Sequence, residues 1–151
     1  MERLGSDPPG PYEASIGYSR VVRSGAHVWV AGCTSVDAFG VVQGDTPGEQ
    51  MRLAIANLVA GLERVGATAA DVVRTRMYTT DTTRWEEIGR AHGEVFAAVR
   101  PVTAMIGVAS LIDPRMLVEI EADAYVDPDA HPSITTVEIE ADAFVETDSA
   151  R

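Results

Sequence analysis

The sequence contains no lysine; all twelve of its basic residues are arginine, a pattern that reads as the base composition of a gene and not as chemistry. Basic charge is scarce altogether. Twelve arginines stand against 23 acids, for a net charge of −11. That balance argues against a nucleic-acid partner, because binding to phosphate backbones draws on clustered basic charge. Cysteine is nearly absent too. The single Cys33 excludes an internal disulfide and fits a reducing compartment. No stretch approaches the roughly 20 apolar residues that span a bilayer. The opening MERLGSDPPGPYEAS lacks the apolar run of a secretory signal. A cytoplasmic location without a membrane partner is therefore expected. No glycine-rich phosphate loop occurs. His27, His92 and His131 are too scattered to suggest metal-ligand spacing, so no metal and no cofactor are expected.

What is present suits one α/β domain. Hydrophobic residues make up 46% of 151 residues, enough for an ordinary core. Residues 1–15 read as an irregular arm. Segments 18–24 and 27–34 flank Gly25-Ala26 and read as a β-hairpin. A helix opens at Thr46, with Pro47 in its first turn and Glu49 completing a capping box. Its apolar face is Met51, Ile55, Leu58, Leu62 and Val65, and Gly66 stops it. Residues 71–79 read as a strand with Val73, Thr75 and Met77 on one side and Arg74, Arg76 and Tyr78 on the other. A second helix opens at Thr83, its buried face carrying Trp85, Ile88, His92, Val95, Phe96 and Val99. Strands at 103–109 and 117–126 follow. The order β-β-α-β-α-β-β suggests one sheet with both helices on one face.

The end of the chain repeats itself. VEIEADAYVD at 118–127 recurs as VEIEADAFVE at 137–146, with eight of ten positions identical. Residues 127–151 carry seven acids and one arginine. They read as an acidic extension to a domain at 1–126. The alternation of Val137, Ile139, Ala141, Ala143 and Val145 predicts an extra C-terminal strand over 136–145, paired with a sheet edge.

Alternation also predicts a polar sheet face. Glu119, Glu121, Asp123 and Tyr125 point away from Val118, Ile120, Ala122 and Ala124. On the same reasoning Arg74, Arg76 and Tyr78 are expected on that polar face, with Thr103, Met105 and Gly107. Two readings stay open for the arginines: pairing with Glu119 and Glu121, or binding a ligand through Arg76. Glu119 is either an ion-pair partner or a general base. Tyr18 contacts a ligand or packs at an interface. Cys33 has no evident base beside it in sequence and reads as packing, and His92 reads as a core histidine.

Five motifs in order carry a family resemblance. They are Gly17-Tyr18-Ser19; Val30-Ala31-Gly32; Asp71-Val72-Val73-Arg74-Thr75 through Thr80-Asp81; Arg100-Pro101; and Leu117-Val118-Glu119-Ile120-Glu121-Ala122. Over residues 15–126 the chain resembles the Rid (YjgF/RidA) superfamily. The resemblance implies an α+β chorismate-mutase-like fold, a homotrimer and ligand clefts between subunits. In the deaminating members an arginine grips the substrate carboxylate; Thr103 stands at that position here. Gly89 stands where those members carry a helpful asparagine, and Met105 where a small residue is common. Tyr18, Gly32 and Glu119 match the family's tyrosine, glycine and glutamate. An arginine offers a planar fork with two charge-assisted bonds, and threonine one neutral hydroxyl. Hydrolysis of 2-imino acids is thus expected to be weak. The expected function is action on a small imine, enamine or related carbonyl metabolite. Glu119 and Tyr18 would be catalytic, and Arg76, Gly32, Thr103 and Met105 would bind substrate. A non-catalytic metabolite-binding trimer is the alternative, and ribonuclease activity ranks last.

Overall fold

The structure, a computed structural model, describes residues 1–10 and 12–128. The strand expected at 136–145 lies outside them. The first fifteen residues are less irregular than expected. Strand β1 (Glu2–Leu4) pairs antiparallel with β2 (Val21–Ser24), and a single helical turn α1 (Glu13–Ile16) precedes the latter. Three residues are too few for a periodic signal, which is why the sequence pattern does not reveal β1. The expected hairpin is present, with β2 paired to β3 (His27–Cys33).

Helix α2 (Pro47–Glu63) starts as its residues dictate. The Thr46 hydroxyl accepts from the Glu49 amide, and the Glu49 carboxylate accepts from the Thr46 amide. Met51, Ile55, Leu58, Leu62 and Val65 are all buried. Gly66, at φ +70°, takes the left-handed conformation just past the helix. Strand β4 (Val72–Thr79) follows, then a 3-10 turn (Thr82–Arg84) capped by Asp81, then helix α3 (Trp85–Phe96). Ile88, Ala91 and Phe96 of α3 are buried. Trp85 is 58% exposed and Val95 40%, so the expected stripe is wider than the real one. Strands β5 (Val102–Gly107) and β6 (Val118–Tyr125) complete a sheet of order β1-β2-β3-β6-β4-β5. Among the described strands only the β4–β5 pair is parallel. Helices α2 and α3 share one core with Val28, Val30, Met77, Ile120 and Ala122, leaving the other sheet face open.

Two bulges adjust the alternation. In β4 the register against β6 shifts between Val72 and Arg74. Val73 is the extra residue, and it stands 49% exposed while Val72 is buried, contrary to the expected placement of Val73 in the core. In β3 a second shift falls between Val30 and Cys33.

One facing assignment is overturned. Thr103 pairs with Thr75, and Met105 with Met77, in parallel register. Paired residues share a face, and Thr75 and Met77 are buried beneath the helices. Thr103 and Met105 therefore lie on the helix side, on the opposite face from Glu119. β5 is an edge strand whose residues are mostly exposed on both sides, so its sequence carries too little contrast to fix its facing.

Candidate functional site

Every second side chain of β6 faces the open side of the sheet, and three of these are acids: Glu119, Glu121 and Asp123. Their surroundings differ. Arg76 of β4 donates to Glu121 at 2.9 Å and comes within 3.7 Å of Asp123. Arg74 also lies 3.7 Å from Asp123. The Tyr78 hydroxyl donates to Glu121 at 3.1 Å. Burial and this bond to a carboxylate raise the phenol above its ordinary range. Arg76 is thus engaged with Glu121 and Asp123, not with Glu119. These pairs are partly exposed, so each contributes at most about 1 kcal/mol to stability.

Glu119 is the acid left over. Among the described residues its carboxylate makes no hydrogen bond and no ion pair. Burial, and after it the charge of Glu121, raise its pKa above the ordinary carboxylate value; Arg20 pulls in the opposite direction. The bulge in β3 sets Gly32 against it. A Cβ at Gly32 would stand 2.1 Å from a Glu119 carboxylate oxygen and 2.7 Å from its carboxyl carbon. Only glycine leaves that carboxylate where it is.

Arg20 joins this corner together, and the sequence pattern does not single it out. Its guanidinium lies 5.8 Å from the centre of the Tyr18 ring. One nitrogen donates to the Gly32 carbonyl and lies 3.6 Å from the Cys33 sulfur. Its Nε donates to the Ser6 hydroxyl. Ser6 in turn donates from its amide and its hydroxyl to the buried Glu13. The first residues of the chain thereby hold the arginine in place. The only hint in sequence is the spacing of two from Tyr18. Tyr18 itself is 37% exposed. Cys33 is buried, and burial pushes its thiol up, away from a nucleophilic thiolate.

Thr103 and Met105 form no part of this corner within one chain. Met105 packs against the core. The Thr103 hydroxyl lies 2.7 Å from that of Thr75, which lies 3.0 Å from His92 Nε2. His92 also packs on Phe96, with ring centres 4.7 Å apart, and burial lowers its pKa. A hollow of about 250 Å³ is lined by Arg74, Thr75, Arg76, Val102, Thr103 and Ala104. Another, of about 420 Å³, is lined by Trp85, Glu86, Gly89 and Arg90. Tyr18, Gly32 and Glu119 line neither. Among the described residues, no cluster of His, Cys, Asp and Glu could hold a metal ion, and no helix is long and apolar enough to cross a membrane.

Comparison with known proteins places this geometry. The crystal structure of Rv2704 from Mycobacterium tuberculosis, a member of the YjgF/YER057c/UK114 family, is 46% identical. The match covers 83% of this chain and 98% of that one, with a TM-score of 0.75. An uncharacterized protein of Streptomyces coelicolor, SCO2049, is 36% identical over 115 residues, 76% of this chain and 86% of the relative. A RutC family protein of Pyrococcus abyssi is 32% identical over 121 residues, 78% of this chain and 88% of the relative. RidA from an Antarctic Psychrobacter shares the fold, with a TM-score of 0.75 at 23% identity over 83% of this chain and all of that one. The family model described as Endoribonuclease L-PSP matches residues 11–126, and the chain belongs to this family, the YjgF/Rid family.

Proposed function

We propose that the protein hydrolyses a small imine or enamine, or a related carbonyl metabolite, in a cleft between subunits, with Glu119 as general base. The observation that carries this reading is the contrast along β6. Glu121 and Asp123 are satisfied by arginines, while Glu119 is half-buried, lacks an ion-pair partner among the described residues and has a raised pKa. A carboxylate kept from its counter-ions costs stability, and such groups concentrate where proton transfer is needed. Water adds to the imine carbon as Glu119 takes its proton. The resulting carbinolamine collapses by breaking the C–N bond, the proton passing to nitrogen, so that ammonia leaves and a carbonyl compound remains. An enamine first takes a proton on carbon to become the imine. Tyr18 orients the substrate, and Arg20 keeps Glu119 ionisable.

Proteins of this family are generally homotrimers. Assembly accounts for the two halves of the site. Thr103 and Met105 lie across the sheet from Glu119 in one chain, so a site that unites them draws β5 from a neighbouring subunit. Ribonuclease activity is disfavoured because Arg74 and Arg76 face carboxylates and the net charge is −11.

Ammonia release from a panel of amine-derived imines, alongside ligand-induced thermal shifts, tests the proposal. Turnover is expected for neutral imines, with 2-iminopropionate poor because Thr103 offers no fork. Glu119→Gln should lower kcat at least a hundredfold, in the range typical of a lost general base. Saturable stabilisation without turnover would make the protein a metabolite-binding trimer instead.

A further inference from the structure

The Thr103–Thr75–His92 contacts form a chain with a direction. Thr75 is wholly buried, and its hydroxyl touches two groups, Thr103 at 2.7 Å and His92 Nε2 at 3.0 Å. A hydroxyl has one proton, so it donates in one contact and accepts in the other. If Thr75 donated to His92, the imidazole proton would sit on Nδ1. Nδ1 meets no described residue in either tautomer, and His92 is half-buried. If the proton sits on Nε2, His92 donates to Thr75 and Thr75 donates to Thr103. The Thr103 proton is then free to point outward, into the hollow that Thr103 lines with Val102 and Ala104. Burial lowers the His92 pKa and so favours the neutral ring, in which one nitrogen carries the proton.

The rim of the hollow does not favour an anion. Arg74 and Arg76 line it, but both face Asp123, and Arg76 is bonded to Glu121. Glu121 and Asp123 thus already balance the two arginines at this rim. A carboxylate brought against one neutral hydroxyl would lose more hydration than it regains. A neutral carbonyl oxygen needs only one donor.

We propose that Thr103 is a hydrogen-bond donor to the ligand, held in that sense by His92 acting through Thr75, and that this end of the site takes the neutral carbonyl of an amide or ketone in place of a carboxylate. The proposal deepens the reading above and rests on its placing a ligand beside β5. Thr75 and His92 are positioning residues; Thr103 makes the contact.

Two measurements test it. In the unmodified protein, imidazole ¹⁵N shifts of labelled histidine, assigned with His92→Gln, should report the Nε2–H tautomer. A proton on Nδ1 overturns the proposal. Pyruvamide and pyruvate are then titrated as probes, and the amide should bind about tenfold more tightly, the scale of one aligned hydrogen bond plus the avoided desolvation. Thr75→Val should remove that preference, while Thr75→Ser should keep it. His92→Gln, which can offer an amide N–H where Nε2–H stood, should stay within about threefold of the parent, and His92→Phe should not. Equal binding of the two probes, binding of neither, or equal losses in the Gln and Phe variants would overturn the proposal. The two readings fail separately. Amide preference without turnover of any imine sinks the hydrolase and leaves the donor chain standing. Turnover dependent on Glu119 without amide preference does the reverse.

Discussion

Glu119 and Gly32 act as one unit at the scale of single residues. The glycine admits the carboxylate, and the strand position removes its counter-ions. Gly32→Ala should therefore move the Glu119 carboxylate by more than an ångström, at little cost in stability, because what stands in the way is the far end of a flexible side chain. Turnover should fall at least tenfold, because a displaced base loses its alignment. Thermal unfolding and kcat of the same variant check both effects. The raised pKa of Glu119 has consequences of opposite sign for activity and stability. On the proposed mechanism activity needs the ionised form, so the acidic limb of kcat against pH should lie above 4.5, the ordinary glutamate value. Glu121→Gln removes a repelling charge and should shift that limb downward. The stability tied to protonated Glu119 is fully present below its unfolded pKa and is lost as pH rises through the higher folded value. Glu119→Gln should accordingly be at least as stable as the parent at pH 7 while losing turnover.

Gln50 sets the relation between elements. It sits in the first turn of α2 and is 1% exposed. Its amide nitrogen donates to the carbonyls of Gly44 and Arg115, and its oxygen accepts from the Leu117 amide. The residue thus ties the helix to the segment that leads into β6, two positions before Glu119. Gln50→Leu keeps the volume but removes the partner of three backbone groups, on exposed Gly44 and Arg115 and half-buried Leu117. It should cost about 1–3 kcal/mol in all, since water reaches part of what is stranded, read by denaturant unfolding. Much of this level is legible in the sequence. The α2 capping box and its apolar face read correctly because both are local and periodic. β6 reads correctly because acids alternate strictly with aliphatics. β5 does not, since an edge strand exposed on both sides obeys no burial alternation, and Thr103 and Met105 are misplaced with it. The bulges at Val73 and Gly32 insert a residue without leaving a mark in composition. Arg20 is invisible for a different reason: its partners Ser6 and Gly32 are distant in sequence, and only the fold brings them together.

For the whole molecule, the open sheet face is the central matter. It carries the acids of β6, the arginines of β4, and a ring cluster in which His27 stacks on Trp29 at 5.8 Å and meets Tyr125 edge-on at 5.2 Å. Trp29 and Tyr125 are largely exposed in the single chain. A face that mixes large aromatics with paired charges suits an interface between subunits better than it suits water. On this account, the corner of Tyr18, Arg20, Gly32 and Glu119 becomes a closed site only when another subunit's β5 edge reaches it. Light scattering of the full chain at micromolar concentration tests this most directly. The account predicts a mass of three times 16.1 kDa; a monodisperse species of one chain would contradict both the assembly and the site built upon it.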